Sequence, residues 1–135
     1  MLGHASLTAF VATARAAESR AFYQQTLGLR LISDDQFALA FDSNGVQLRI
    51  QKVEKVNPSP FTVLGWEVAD IGMAMAGLSQ RGVTFERYTF LEQDESGVWA
   101  APSGTKVAWF KDPDGSLLSV AESGVATRSG PAQRC

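Results

Sequence analysis

The chain states one pattern twice, and that repetition limits the folds open to it. In the first half, "LTAFV" is short, apolar and rich in β-formers, and "ARAAESRAFYQQTL" follows with Ala17, Ala21, Phe22 and Leu27 near helical spacing. Gly28 stands where a helix C-cap glycine belongs, and "LRLIS", "FALAF" and "VQLRIQ" read as short strands. The second half repeats the order. "FTVLGWEVA" reads as a strand, and "DIGMAMAGLSQR" as a helix with Asp70 at its N-cap and Gly82 as its stop. "VTFERYTF", "GVWAA", "TKVAWF" and "SLLSV" read as the strands that follow. "FDSNG" in half one matches "KDPDG" in half two, pairing Asp42 with Asp112 and Gly45 with Gly115. Both are hairpin turns, because Asn-Gly and Asp-Gly supply the positive φ that closes a tight connection.

Each half is thus a β-α-β-β-β unit. Neither unit can bury a sheet face alone, so the two are expected to share a core or to trade units with a second chain. The boundaries predicted are 5–53 for the first module, 54–60 ("EKVNPSP") for the link and 61–122 for the second, all within one domain spanning 1–124. The end, 125–135, is small and polar and is expected to be a flexible tail.

Composition narrows the function classes. A hydrophobic share of 45% with 19% charged residues fits a globular chain. The net charge of -2 offers no electrostatic ground for nucleic acid or an anionic membrane as partner. No segment approaches the ~18 apolar residues of a membrane helix. "MLGHASLTAF" has no basic region ahead of an apolar stretch, so no signal peptide is expected. Cys135 is the only cysteine, which suits a reducing, cytoplasmic setting, and a tail residue is not preorganised as a nucleophile.

The pair "SRAFYQQTLGL" and "WFKDPDGSLLSV" resembles the vicinal oxygen chelate superfamily of glyoxalase I, bleomycin resistance proteins and extradiol dioxygenases. The resemblance runs from about Leu7 to Glu122. It implies an α+β fold in which two βαβββ modules form a curved mixed sheet around a cleft, with helices on the outer face. It also implies a homodimer, since relatives of this length are commonly dimers. Function does not follow from the fold, which hosts unrelated chemistries.

Strand alternation sets the residues expected in that cleft. In "GVQLRIQ", Val46, Leu48 and Ile50 take the helix side, leaving Gln47, Arg49 and Gln51 on the concave side. In "SLLSVA", Leu117, Ser119 and Ala121 are expected there, and in "VLGWEV", Val63, Gly65 and Glu67. The resemblance implies a metal-ligand position in each first strand and four residues past each turn glycine. These fall on Thr8, Arg49, Val63 and Ser119, none of which is a strong donor, and Arg49 would repel a cation. No metal or other cofactor is therefore expected. His4 reads as a solvated terminal residue, and Glu122 as pointing to the wrong face.

A metal-independent binder of a small organic ligand is the favoured reading, with Thr8, Gln47, Arg49, Gln51, Val63, Glu67, Trp99 and Ser119 as ligand contacts. Arg49 either clamps a carboxylate or phosphate or pairs with Glu67 and holds the half-sheets together. The alternatives are a lyase or isomerase in which a desolvated Glu67 acts as base with Arg49, and an interaction module with a filled cleft. Trp66, Trp109 and Phe22 are expected in the core, while Trp99 in "EQDESGVWAAPSG" is expected beside the ligand. The acidic cluster Glu92, Asp94 and Glu95 reads as a solvated loop that could also attract a cationic ligand.

Overall fold

A computed structural model describes residues 1–124; the expectations for 125–135, including Cys135, lie outside the described residues. The chain divides into two compact units. Unit one comprises Met1–Ser59 with Asp112–Ser116, and unit two comprises Pro60–Lys111 with the segment from Leu117 onward. The class is α+β, with one four-stranded mixed sheet in each unit.

Unit one holds β1 (Thr8–Thr13), α1 (Ala16–Ala21), a π-helical turn (Phe22–Thr26), β2 (Arg30–Asp34), β3 (Ala38–Ser43) and β4 (Val46–Lys52). The sheet order is β1-β4-β3-β2, with β1 parallel to β4 and the others antiparallel. The single helix expected over residues 14–27 is instead a short α-helix running into a π turn, which Leu27 closes by donating its N–H to the Phe22 carbonyl. Ala17 and Ala21 are exposed; the buried positions are Ser19 and Tyr23, one helical turn apart. A tally of apolar residues misplaces this face because its two buried residues carry hydroxyls. Val11, Leu39, Phe41, Leu48 and Ile50 form the core on the same side of the sheet, where paired residues share a face. Asn44 (φ 50) and Gly45 (φ 93) close the β3–β4 turn in the left-handed region, as Asn-Gly predicts.

Unit two holds β5 (Thr62–Glu67), α2 (Ile71–Gln80), β6 (Trp99–Ala100), β7 (Lys106–Lys111) and β8 (Leu117–Glu122), in sheet order β5-β8-β7-β6. Asp70 caps α2 by accepting from the Met73 N–H at 3.0 Å. Leu118, Val120, Ala108 and Phe110 form the buried face of the sheet, and Ile71 and Met75 are the buried residues of α2.

The expected strand "VTFERYTF" is an irregular segment, and "GVWAA" yields two strand residues only. The reason lies in Gln93. Its Oε1 accepts from the Tyr88 N–H at 2.7 Å, and its Nε2 donates to the carbonyls of Glu86 (3.0 Å) and Gly97 (2.8 Å). One side-chain amide thus satisfies backbone groups that a strand ladder would otherwise have to pair. Only the Glu86 N–H reaches β7 from this stretch, at the Trp109 carbonyl.

Candidate functional site

The residues with the most perturbed titration cluster in unit one, around the turn Asp112–Ser116. Asp112 Oδ1 accepts from the N–H groups of Asp114 and Ser116, both at 2.9 Å, which builds the turn. Its Oδ2 accepts from the buried Tyr23 hydroxyl at 2.7 Å. Asp114 accepts from Thr13 Oγ1 at 2.5 Å, from the Ala14 N–H at 2.9 Å and from Ser19 Oγ at 3.3 Å. Burial pushes the Asp112 carboxyl above its ordinary range, against the bonds from Tyr23 and the turn amides. Burial, and then the charge of Asp112, hold the Tyr23 hydroxyl protonated well above its usual pKa. Such shifts often mark reactive groups. Here Asp112 and Asp114 spend their hydrogen bonds on neighbours, so the cluster is a fully satisfied anchor for the turn. The hairpin acids are structural.

The face of the unit-one sheet opposite its core carries a different set. Thr8 pairs with Gln47, Phe10 with Arg49 and Ala12 with Gln51; across β3, Arg49 pairs with Ala40 and Gln51 with Ala38. Paired residues lie on one side of a sheet, so Thr8, Gln47, Arg49 and Gln51 share this face, as the alternation predicts. Ala12, Ala38 and Ala40 lie beside them, with Ala38 and Ala40 buried. Arg49 is half-buried and makes no ion pair among the described residues. Asp35 sits well below the usual carboxylate range because the N–H groups of Ala38 and Phe37 bond it, with smaller help from the charges of Arg49 and Lys52.

In unit two, Gly65 pairs with Ser119, which pairs with Trp109; Glu67 pairs with Ala121, which pairs with Val107, which pairs with Trp99. Glu67, Trp99 and Ser119 therefore share one face. Val63 lies in a β-bulge between Thr62 and Leu64 and has no partner on β8. Glu67 is exposed.

Trp109 is a correction. It is not core: Ala108 and Phe110 take the buried face, and Trp109 stands beside Ser119. Its Nε1 donates to Thr62 Oγ1 at 3.1 Å. The Trp99 ring lies 6.2 Å away at 34°, and Tyr88 meets Trp109 edge-on at 5.6 Å and 83°. Phe90, 78% exposed, lies 5.3 Å from Tyr88. Alternation in "KVAWFK" already carried the signal for Trp109. Tyr88 and Phe90 had none, since their segment has no strand period. Trp66 pairs with Val120 on the core side and is half-buried, as is Phe22, which meets Tyr23 edge-on at 5.1 Å.

Glu122 faces the helix side, accepting from the Ile71 N–H at 2.9 Å. With Asp70, Glu92, Asp94 and Lys106 it lines a groove of about 490 Å³ on that side. Asp94 is drawn below the usual carboxylate range by loop donors, the Val98 N–H first and then the Ser96 hydroxyl. Glu95 is exposed, and His4 is exposed near the N-terminus.

A family model for the glyoxalase/bleomycin resistance protein/dioxygenase superfamily matches residues 2–120. The chain belongs to that superfamily. No curated protein matches this member of it by sequence. Among solved structures it is similar to a superfamily member from Sphaerobacter thermophilus, at 22% identity and TM-score 0.70, covering 91% of this chain and 100% of that one. TnmS3, an antibiotic binding protein from Streptomyces sp. CB03234, aligns at 20% identity and TM-score 0.67 over 91% and 98%. A lactoylglutathione lyase from Agrobacterium tumefaciens aligns at 14% identity and TM-score 0.69 over 90% and 96%. At these identities the likeness is one of fold. The resemblance implies a metal-ligand set, and the residues at its positions include no strong donor. Thr8, Arg49, Val63 and Ser119 stand at the expected ligand positions, and among the described residues no three His, Cys, Asp or Glu side chains gather closely enough for an ion. No helix among the described residues is long and apolar enough to cross a membrane.

Proposed function

We propose that this superfamily member is a metal-independent binding protein for a small organic anion, held at the Arg49 face of the unit-one sheet. The observation that carries the reading is Arg49. Arg49 is half-buried, makes no ion pair within 4 Å among the described residues and acts on Asp35 through charge alone, so its fork suits a ligand carboxylate or phosphate. Gln47 and Gln51, two residues to either side on the same face, and Thr8 beside Gln47 add donors for the same oxygens. That one structural neighbour is an antibiotic binding protein adds support for a binding role.

The test is a thermal-shift screen of organic carboxylates and phosphates, followed by titration of the best hit. A ligand at 100 times its Kd adds about 2.7 kcal/mol to stability. Arg49→Met keeps the apolar stem and removes the charge, and is expected to weaken that hit at least about tenfold while the free protein melts as before. Arg49→Lys is expected to recover little, because an ammonium lacks the two-pronged geometry. An affinity unchanged in Arg49→Met would make Arg49 structural and end this reading.

A further inference from the structure

We propose that Asn44-Gly45, in the β3–β4 turn, is a site of self-modification. The Asn44 side chain cyclises onto the main chain there and hydrolyses to aspartate and isoaspartate. The inference goes beyond the binding reading and does not rest on it.

Asparagine is a thermolabile side chain, and this chain has two, Asn44 and Asn57, together with one Asp-Gly pair, Asp114-Gly115. A ring closes when the amide nitrogen of the next residue bonds to the side-chain Cγ. That nitrogen must carry a proton and must be within reach. Asn57 is followed by Pro58, which has no N–H. At the second place the fold stands in the way. The Gly115 N–H donates to the Asp112 carbonyl at 2.9 Å, and the Asp114 carboxylate is held by Thr13, Ser19 and the Ala14 N–H. The space is crowded too, since a Cβ on Gly115 would stand 3.2 Å from Pro58 Cγ.

Asn44-Gly45 has none of these restraints. Both residues are exposed. Among the described residues no group bonds the Asn44 side chain or the Gly45 N–H. A Cβ built on Gly45 would meet nothing within 4 Å, so the ring has open space to form. Glycine also adds no side chain beside the attacking nitrogen. The two turns are the matched pair of the sequence repeat, and tertiary contacts are what separate the reactive one from the protected one.

The chemistry needs only water. The Gly45 nitrogen gives up its proton and bonds to Asn44 Cγ. The Cγ–Nδ2 bond breaks, and Nδ2 leaves as ammonia with that proton restored to it through the solvent. Water then opens the succinimide. Attack at Cγ gives aspartate; attack at the backbone carbonyl gives isoaspartate, with the main chain routed through Cγ. Nothing is oxidised or reduced. Either product adds one negative charge to a chain of net charge -2. Isoaspartate also adds one backbone carbon to the turn that sets Ser43 opposite Val46, the end from which β4 carries Gln47 and Arg49.

The test incubates the folded full chain in mildly alkaline buffer. Isoelectric focusing and peptide mapping that resolves aspartate from isoaspartate are the readouts. An acidic band is expected, with both products at Asn44 and none at Asp114. Asn44→Gln, whose amide would have to close a larger ring, is expected to abolish the band. Gly45→Ala is expected to slow its appearance about tenfold or more, because a Cβ crowds the nitrogen. In the urea-unfolded chain Asp114 is expected to isomerise as well, since the bonds that hold it are gone. An unmodified Asn44 in the folded chain overturns the proposal, as does an acidic band that persists in Asn44→Gln. Isoaspartate at Asp114 that forms as fast in the folded chain as in the unfolded one overturns the protection assigned to that turn.

Discussion

Tyr23→Phe isolates the bond that ties the Asp112–Ser116 turn to the first helix. The ring is fully buried and stays so in the variant; only the hydroxyl, 2.7 Å from Asp112 Oδ2, is removed. A hydrogen bond to a charged acceptor contributes about 1.5–3 kcal/mol, and the turn amides bond only Oδ1, so Oδ2 is left without a partner. A loss of about 2 kcal/mol at pH 7 is expected, or roughly 7 °C in Tm for a chain of this length. The pH dependence follows from the sign of the Asp112 shift. Burial raises its folded pKa, so its contribution to stability is greatest below the unfolded pKa and is lost as pH rises through the folded one. The Tyr23 bond opposes that rise, so its removal pushes the folded pKa higher still and the variant loses more on the neutral side. The deficit should therefore shrink as the pH falls toward the ordinary carboxyl range near 4, leaving about 1 kcal/mol for a neutral bond. Urea unfolding of both proteins at pH 7 and near pH 4 measures this. A deficit below about 0.5 kcal/mol at pH 7, or one equal at both pH values, refutes the charge-assisted account.

Three further outcomes follow from the same geometry. Gly115→Ala places a side chain at φ +90 with its Cβ 3.2 Å from Pro58 Cγ, and is expected to cost about 1–2 kcal/mol in urea unfolding; a neutral result would show that the turn relaxes freely. Purified, untagged protein should contain far less than one equivalent of zinc, nickel, iron or manganese, and none of these ions should raise its Tm; a stoichiometric metal that survives dialysis would overturn the donor argument. Light scattering at micromolar concentration is expected to give a homodimer at twice the 14.5 kDa chain mass, and a monomer alone would defeat that expectation.

What the sequence determined by itself is what depends on period and turn chemistry. The twofold β-α-β-β-β order, the Asn44-Gly45 and Asp114-Gly115 turns, the Asp70 cap and the side of the sheet taken by Arg49, Gln47, Ser119 and Glu67 all follow from short-range rules. Alternation and positive φ are properties of neighbouring residues, and they hold wherever the strand ends up. Three things needed the tertiary structure. Ser19 and Tyr23 are buried because Asp112 and Asp114 wait for their hydroxyls about a hundred residues away, a pairing no helical period can announce. "VTFERYTF" lost its strand because the Gln93 side chain took over backbone bonds that β-propensity assumes will be paired in a ladder. The aromatic corner exists because that irregular segment carries Tyr88 against Trp109, and only the folded path of a loop decides which ring meets which.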